Sequence, residues 1–582
     1  MRIPPIENTN MISVQSAFPT TSGIVTRFFT AAVMLAVGSS LSAQAHPAAG
    51  DPAAGDPAEE AMASIHAEAI RADMRFLADD LLEGRGIETQ GYGVAARYMA
   101  SQFEALGLQP AGSAGYLQNV PLRSSRIDEA KATLSWVRDS VPETLRIRQD
   151  YIPSVDPLHS ETSVEAPVVF VGFGVTAKDQ HYDDYEGIDA KGKIVAYIFG
   201  APNFESSLRA HNSSGVVKRQ NAVAHGAVGV ILVDDPGLEK LYSFAKRVQD
   251  METPEYYWLD SQGRPNDYFP DILAAASLSM EASKKFFEGS AHSAEQVYGS
   301  LSAGKPMSFS LPMVAKIHSA SRLGDVVSPN VVAKLEGSDP SLKSEYLVYT
   351  AHLDHLGIGP AVNGDKIYNG ALDNASGSAI LVETARAFSR MKPRPRRSIL
   401  FVAVTAEESG LLGSDYFAHY PTVPARSLVA NVNMDEDVML WPLRDIIAFG
   451  AEHSSLGGVV ERAAKRLNLS RSADPMPQEV VFIRSDQYSF VKQGIPAVYP
   501  IPGFKSNDPK IDPTAIFEKW EETRYHQPQD DMEQPGLDFK AAVQYAKFIF
   551  LCGYYVTQDP QRPRWNEGDF FGNLYGASRI RN

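Results

Sequence analysis

The sequence has one cysteine, Cys552, among its 582 residues. A single thiol cannot form an internal disulfide, so the stability of the fold must come from burial of a hydrophobic core. Cys552 lies in the apolar stretch FIFLCGYYV, where a packing role is expected rather than that of a reactive thiol. A cysteine nucleophile is therefore not part of the expected chemistry.

Positive charge is also scarce. The chain has 54 Lys and Arg residues against 70 Asp and Glu residues, which gives a formal net charge of -16. An acidic surface repels both the phosphate backbone of nucleic acids and the anionic surface of membranes. Nucleic acids and membrane surfaces are therefore not expected partners.

Long hydrophobic runs are lacking, apart from a short one near the N-terminus. Residues 28–41 (FFTAAVMLAVGSSL) follow Arg27 and precede the motif AQA, which has the A-x-A form of a signal-peptidase site. This run is shorter than a membrane span requires, although an uncleaved anchor is the alternative. We expect residues 1–45 to be a signal peptide, with Met11 as a second candidate start. The mature protein is expected to be periplasmic or secreted and free of the membrane.

The rest of the chain changes its pattern several times, and its length is too great for one ordinary core. After residue 329, apolar strands alternate with longer helices, which is typical of an α/β fold with a mostly parallel mixed sheet flanked by helices. A preceding segment has short β-rich runs between turns, which indicates an inserted β-rich α+β domain. We expect a flexible leader (46–60), the N-terminal part of the main domain (61–154), the insert (155–315), the remainder of the main domain (316–560) and a tail (561–582).

Acidic and imidazole side chains follow three predicted strands of the main domain. The run EYLVYTA is followed by His352, SILFVAVTA by Glu407 and Glu408, and LVANVNM by Asp435. In open parallel sheets, ligands bind beyond the carboxyl ends of the strands, where the loops converge. We therefore expect these side chains to lie together at one edge of the sheet.

This mixture of imidazole nitrogen and carboxylate oxygen suits divalent metal ions such as zinc. Asp373 precedes a helix expected to start at Ala375 or Ser376, and a carboxylate there can give one oxygen to each of two ions. Asp354 lies two residues after His352 and points to the same side of an extended segment. Its carboxylate is expected to accept a hydrogen bond from the second ring nitrogen of His352.

Two adjacent glutamates and a distant histidine complete the candidate set. Because like charges repel, the pair Glu407 and Glu408 is explained if one carboxylate binds metal and the other takes a proton from water. The spacing of the two residues does not show which of them binds metal and which takes the proton. His526 belongs to the long loop before the closing helix, which is expected over residues 539–556.

Six short segments stand out along the chain: HLDHLG (352–357), GALDNASG (370–377), AEESGLLGS (406–414), NMD (433–435), RSDQYSF (484–490) and YHQPQD (525–530). In this order they resemble the motifs of the co-catalytic di-zinc aminopeptidases. That family also includes glutamate carboxypeptidases, the transferrin receptor and the related glutaminyl cyclases. The insert, with HYDDYEGIDAKGKIVAYIFG and NAVAHGAVGVILVDD, resembles a protease-associated domain.

The resemblance implies two zinc ions, with Glu407 as the general base and Glu408 as a ligand. It implies that Tyr525 donates a hydrogen bond to an oxyanion, and it places Arg484 in the loop that lines the substrate pocket. Gln487 departs from the family, since many relatives have histidine there. The implied metal ligands are His352 and Asp435 for one ion, Glu408 and His526 for the other, and Asp373 for both.

The sequence therefore predicts an exported, zinc-dependent exopeptidase that acts on peptides. An aminopeptidase is favoured, because an acidic cluster attracts the free α-ammonium group of a substrate. The alternatives are a glutaminyl cyclase-like aminoacyltransferase and a carboxypeptidase, although no basic cluster for a terminal carboxylate is seen. A receptor-like homologue without activity is disfavoured, because every expected ligand is present. No feature of the sequence indicates an oligomeric state.

Overall fold

The computed structural model describes residues 56–305 and 307–576. The predicted signal peptide and most of the predicted leader lie outside these residues. Within the described part of the chain, no helix combines the length and apolar character needed to cross a bilayer.

The α-helices of the described residues, numbered in chain order, are α1 (Pro57–Met62), α2 (Ala67–Leu77), α3 (Gln90–Ala105), α4 (Ser206–Ser213), α5 (Gly215–Ala224), α6 (Pro236–Leu241), α7 (Phe244–Asp250), α8 (Met280–Phe286), α9 (Ala294–Ser302), α10 (Ser376–Arg390), α11 (Leu412–His419), α12 (Leu456–Arg466), α13 (Gln487–Lys492), α14 (Pro513–Thr523) and α15 (Phe539–Gln558). Helix α10 begins at one of the two residues expected from the sequence, and α15 matches the expected closing helix.

The strands, numbered in the same way, are β1 (Gln109–Pro110), β2 (Leu117–Ile127), β3 (Thr133–Arg138), β4 (Val141–Thr144), β5 (Tyr151–Pro153), β6 (Glu161–Val171), β7 (Thr176–Ala177), β8 (Tyr182–Asp183), β9 (Ile194–Ile198), β10 (Gly229–Val233), β11 (Glu255–Trp258), β12 (Ala274–Leu278), β13 (Ser308–Leu335), β14 (Tyr346–His352), β15 (Gly357–Val362), β16 (Asp365–Tyr368), β17 (Ser398–Val404), β18 (Leu428–Asn433), β19 (Asp445–Phe449), β20 (Ser470–Ser472) and β21 (Ala497–Pro502).

One sheet carries the strands from which the candidate site projects. Its order is β11–β2–β13–β17–β14–β18–β21–β19–β20. The central strands β17, β14, β18 and β21 are parallel, so their carboxyl ends lie at one edge. In the ladder His352 pairs with Val404, and Thr350 pairs with Asn433, so three strands end nearly level. The predicted α/β class, with a mixed sheet flanked by helices, is confirmed, although only the central strands of this sheet are consistently parallel.

Both faces of this sheet are covered by helices. In β14, Leu347 and Tyr349 belong to a core with residues of α2, α10 and α15, whereas Val348 belongs to a second core with residues of α11 and α13. Adjacent residues of a strand point to opposite faces, so this division places one helical layer on each side. Cys552 in α15 is fully buried, as expected for a packing residue.

A second sheet has the order β4–β3–β13–β6–β9–β10–β12–β5. Strand β13 is 28 residues long and contributes to both sheets. The second sheet has its own hydrophobic core, which includes Trp136, Phe170 and Phe286. Its first strands precede residue 155, whereas β11 pairs with β2 of the first sheet. The identity of this region as a protease-associated domain stays a prediction.

Helix α4, which lies between two strands of the second sheet, contacts the part of the chain that carries α13. The Ser206 hydroxyl donates to Asp474 over 2.5 Å, and His211 Nδ1 lies 2.7 Å from the Tyr488 hydroxyl. Burial lowers the pKa of His211 to about 4, so the ring is neutral at physiological pH. These side-chain contacts join the two sheets in addition to the shared strand β13.

Helix α2 ends before the run of apolar residues at helical spacing does, which starts at Ile65. The pattern continues to Leu82, but α2 ends at Leu77 and Leu81 is 85% exposed. Glu83 and Gly84 have φ of 50° and 62°, which breaks the helical course and turns the following Arg85 into the interior. The tertiary role of one buried arginine therefore overrides the local periodicity.

Two glycines of α3 provide a matched test of this packing. A Cβ atom on buried Gly91 would lie 1.7 Å from the main-chain oxygen of Leu82, whereas one on Gly93 would meet only the flexible side chain of Arg97 at 3.3 Å. We expect Gly91→Ala to lower the free energy of unfolding by about 1–3 kcal/mol because the backbone must shift. Gly93→Ala should be neutral or stabilising by up to about 1 kcal/mol. Chemical denaturation of both variants measures this, and equal stabilities would contradict the packing described.

Candidate metal centre

Each strand-end residue in the candidate set is placed at the same edge of the first sheet. His352 is the last residue of β14, Asp435 follows β18 by two residues, and Glu407 and Glu408 follow β17 by three and four. The two strands flanking β14 are its parallel partners. Local strand geometry therefore brings these side chains together.

The other two candidates come from loops that one carboxylate holds together. Asp373 lies in the turn Ala371–Ala375 before α10, and His526 lies between α14 and α15. Four residues after His526, the Asp530 carboxylate accepts hydrogen bonds from the main-chain N–H groups of Leu372 and Asp373, each over 3.0 Å. The position of Asp373 is thus tied to the loop that carries His526.

The Asp373 carboxylate lies between two histidines. Its Oδ1 is 3.2 Å from His352 Nε2, and its Oδ2 is 3.2 Å from His526 Nε2. His352 Nε2 is also 2.9 Å from Asp435 Oδ1, and His526 Nε2 is also 3.2 Å from Glu408 Oε2. The five predicted ligands therefore form two imidazole–carboxylate pairs that share Asp373.

This donor set fits divalent metal ions. Ligand atoms of His352, Asp373 and Glu408 all lie within 4.8 Å of one another. Imidazole nitrogen and carboxylate oxygen are the donors that zinc takes in catalytic sites. Because the two oxygens of Asp373 face different histidines, the arrangement suits a pair of ions with Asp373 between them.

The surroundings of Glu407 and Glu408 shift the pKa values of the two carboxyl groups in opposite directions. Burial and Asp373 raise the pKa of Glu408, but His526 and His355 outweigh them and hold it at about 2. Burial raises the pKa of Glu407 well above its usual value, and Asp435 adds to the rise. The Glu407 side chain makes no hydrogen bond or ion pair among residues 56–576. Opposite shifts of this kind distinguish a group that stays charged from one able to hold a proton.

The chain can now be compared with known proteins. Residues 330–550 match the model of peptidase family M28. This segment, here called the M28 domain, is similar to that family. It contains every residue of the candidate metal centre, from His352 to His526, so the predicted resemblance is confirmed.

Relatives of the chain carry matching names. A probable zinc metalloprotease of Pyrenophora teres f. teres is 38% identical over 107 residues, which are 18% of this chain and 22% of the relative. Aminopeptidase Y of Saccharomyces cerevisiae is 25% identical over 231 residues, 38% of each chain. The chain thus matches only about a fifth of the first relative's length. At the level of the family, the prediction of a zinc metallopeptidase is confirmed.

A solved structure supports the fold over most of the chain. The aminopeptidase from Aneurinibacillus sp. strain AM-1 is 20% identical, with a TM-score of 0.50. The similarity covers 87% of this chain and 97% of that one. The shared fold therefore extends beyond the M28 domain and includes much of the second sheet.

The role expected for the Asp354 carboxylate needs correction. His352 Nδ1 lies 3.1 Å from the main-chain oxygen of Asp354, not from its carboxylate. The carboxylate instead accepts from the main-chain N–H of Glu407 over 3.1 Å and of Glu408 over 3.4 Å. These donors have no partner in the strand ladder beyond β17, so they attract the carboxylate. Asp354 therefore holds His352 through its backbone and the glutamate pair through its side chain.

His355 is a residue of the M28 domain that the sequence analysis did not assign. Its Nδ1 is 2.5 Å from Glu408 Oε1 and 3.8 Å from Asp373 Oδ2, and its ring is buried. Its Nε2 has no hydrogen-bond partner within residues 56–576. The signal was present in the motif HLDHLG, whose second histidine is three residues after the first.

Arg85 is a second residue without an earlier assignment, and it supports the ligand loops. Its fully buried guanidinium donates to the main-chain oxygens of Leu353 over 2.8 Å, Asn369 over 2.6 Å and Gly370 over 2.9 Å. Leu353 follows the ligand His352, and the other two precede the Asp373 turn. One side chain from a distant part of the sequence thus fixes two ligand segments relative to each other.

The remaining predicted residues lie at the side of the centre. The Tyr525 ring stacks on His526 with centroids 3.9 Å apart, and its hydroxyl accepts from Arg484 Nη2 over 3.2 Å. Gln487 is buried and donates to the main-chain oxygen of Phe482, so this departure from the family serves packing. Ser485 donates to Asp435 Oδ2 over 2.5 Å, which orients a predicted ligand.

Removal of Asp373 should abolish most metal binding, because both pairs share its carboxylate. We expect Asp373→Ala to hold far less zinc than the wild type after loading and dialysis, measured by elemental analysis. Asp365→Ala, on the exposed hairpin strand β16, is the control and should hold wild-type zinc. Equal zinc contents in the two variants would show that Asp373 does not bind metal.

Proposed function

We propose that the chain is an exported zinc aminopeptidase that removes N-terminal residues from peptides. The observation that carries this proposal is the Asp373 carboxylate shared by two imidazole–carboxylate pairs, with the unpaired Glu407 beside them. In this proposal His352 and Asp435 hold one ion, Glu408 and His526 hold the other, and Asp373 holds both.

The proposed mechanism assigns one task to each remaining side chain. When bound, two divalent ions would supply the Lewis acidity that activates a water molecule and polarises the scissile carbonyl. Glu407 takes the proton from the attacking water and delivers it to the leaving amine. Asp354 fixes the backbone of Glu407, and Tyr525 donates a hydrogen bond to the developing oxyanion.

The charges beside the centre favour an aminopeptidase over a carboxypeptidase. The adjoining cleft is lined by Asp435, Glu436 and Glu479 and by one guanidinium, Arg484. Arg484 already contacts the Tyr525 hydroxyl and lies 4.0 Å from Glu479. A substrate α-ammonium group is therefore stabilised there, whereas a terminal carboxylate would meet a net negative field.

The proposal includes the predicted location and the predicted insert. Export rests on the signal-like segment of residues 1–45, and the second sheet is proposed to be a protease-associated domain that limits access to the site. Its helix α4 contacts the segment around α13, which carries Tyr488 four residues after Arg484. This contact gives the second sheet a physical connection to the wall of the cleft.

Glu407→Gln tests the general base without removing a ligand. We expect kcat on an aminoacyl p-nitroanilide to fall by at least about 100-fold, because a positioned base contributes on that scale. Zinc content should stay at the wild-type level, since the amide keeps the shape of the side chain. Near-wild-type kcat with full zinc would refute the assignment of Glu407.

The products distinguish hydrolysis from cyclisation. With a peptide that begins with glutamine, we expect release of free glutamine and a peptide shortened by one residue, detected by mass spectrometry. A peptide that loses ammonia but keeps its length would instead identify a glutaminyl cyclase-like aminoacyltransferase. Loss of residues from the other end would identify a carboxypeptidase.

A further inference from the structure

A cleft that is partly open to solvent adjoins the candidate metal centre. Asp435, one of the proposed ligands, and Tyr525, the neighbour of another, form its inner end. The outer walls come from the segment before α13 and from helix α14. Because the cleft opens to solvent beside the proposed ligands, a substrate residue bound at the centre would place its side chain against these walls.

The outer walls are apolar and aromatic. Met476 and Val481 line the cleft together with Phe517 and Trp520 of α14. The rings of Phe517 and Trp520 are 6.1 Å apart. Such walls suit a long side chain whose stem is aliphatic, because its methylene groups are removed from water against the rings.

The cleft also contains an unpaired polar atom. Trp520 is 2% exposed, and its indole Nε1–H has no hydrogen-bond acceptor among residues 56–576. An unpaired buried donor destabilises a protein. A polar ligand, or water that accompanies it, would remove this penalty, so the cleft is suited to more than a purely apolar group.

The charges in the cleft are unbalanced. Glu436, Glu479 and Glu521 face a single cation, Arg484. Glu479 is the carboxylate nearest to Arg484, at 4.0 Å. Neither the Glu436 nor the Glu521 carboxylate makes a hydrogen bond or an ion pair within the described residues. Arg484 attracts both carboxylates from a distance without pairing with either, so the cleft keeps an excess of acidic groups.

We propose that this cleft selects peptides whose N-terminal residue has a cationic side chain, lysine or arginine. This specificity rests on the proposed aminopeptidase function. Glu436, adjacent to the ligand Asp435, lies nearest to the reaction centre and pairs with the α-ammonium group. Glu521, on α14, pairs with the cationic end of the side chain, while the stem packs on Phe517 and Trp520.

The proposal explains why each class of substrate is accepted or rejected. A lysine or arginine side chain neutralises Glu521 and gains cation–π attraction from the nearby rings. A leucine side chain fills the apolar part but leaves the carboxylate unpaired, and a glutamate side chain adds a repulsive charge. Selectivity is thus set by a charge outside the metal-ligand set.

The test measures kcat/KM of the zinc-loaded, full-length protein on the p-nitroanilides of Lys, Arg, Leu and Glu. We expect the Lys and Arg substrates to exceed Leu by at least about 10-fold, a typical gain from one specificity contact. In Glu521→Gln the Lys/Leu ratio should fall by about 10-fold for the same reason. Glu522→Gln, at the next and exposed position of α14, should keep the wild-type ratio.

The outcomes distinguish failure of the proposed specificity from failure of the proposed aminopeptidase function. If Leu is cleaved as fast as Lys, or if Glu521→Gln keeps the Lys/Leu ratio, the specificity is wrong and the aminopeptidase proposal stands. If no p-nitroanilide is cleaved, the proposed function fails, and calorimetry with L-lysinamide and L-leucinamide decides about the cleft. Tighter binding of L-lysinamide then supports the charge selectivity, and equal binding overturns it.

Discussion

The arrangement of the site depends on one constraint, the concentration of carboxylates at the buried end of a parallel sheet. Asp373, Glu407, Glu408 and Asp435 lie within reach of two imidazoles. Burying several like charges together is strongly unfavourable unless cations compensate them. Two divalent ions, if bound as proposed, would offset much of this negative charge. The same ions would supply the acidity that peptide hydrolysis needs, so under the proposal one arrangement of carboxylates meets both requirements.

Groups outside the proposed ligand set hold the clustered carboxylates in place. Asp530 holds the Asp373 turn through two main-chain N–H groups, and Arg85 holds the neighbouring segments through three main-chain oxygens. All five of these bonds are made to main-chain groups and none to a candidate ligand side chain. Because rigid ligand segments lose little freedom when an ion binds, such supports favour a preorganised centre. The strand ladder adds the rest, since β14, β17 and β18 end nearly level.

Much of this site was predictable, and the failures have physical causes. The end of a strand can be recognised in the sequence as an apolar run followed by a polar or charged residue. His352, Glu408 and Asp435 were therefore predicted from local patterns. Arg85 was not, because its partners are up to 285 residues away and its own segment reads as a continuing helix. The atom through which Asp354 holds His352 was also missed, since spacing shows which side a residue faces but not which oxygen is nearer. The order of Glu407 and Glu408 depends on the positions of His526 and His355, which no local pattern contains.

The metal centre and the cleft share structural elements, so their electrostatics are connected. Asp435 belongs to a ligand pair and also lines the cleft, and Ser485, another residue of the wall, donates to it. Bound divalent ions would neutralise the carboxylates of the centre, including Asp435, and would remove their influence on the cleft. Glu436 and Glu521 lie outside the proposed ligand set, so their carboxylates would remain available to a substrate when the centre is loaded. Under the proposal, metal binding and charge selectivity therefore depend on different side chains of neighbouring segments.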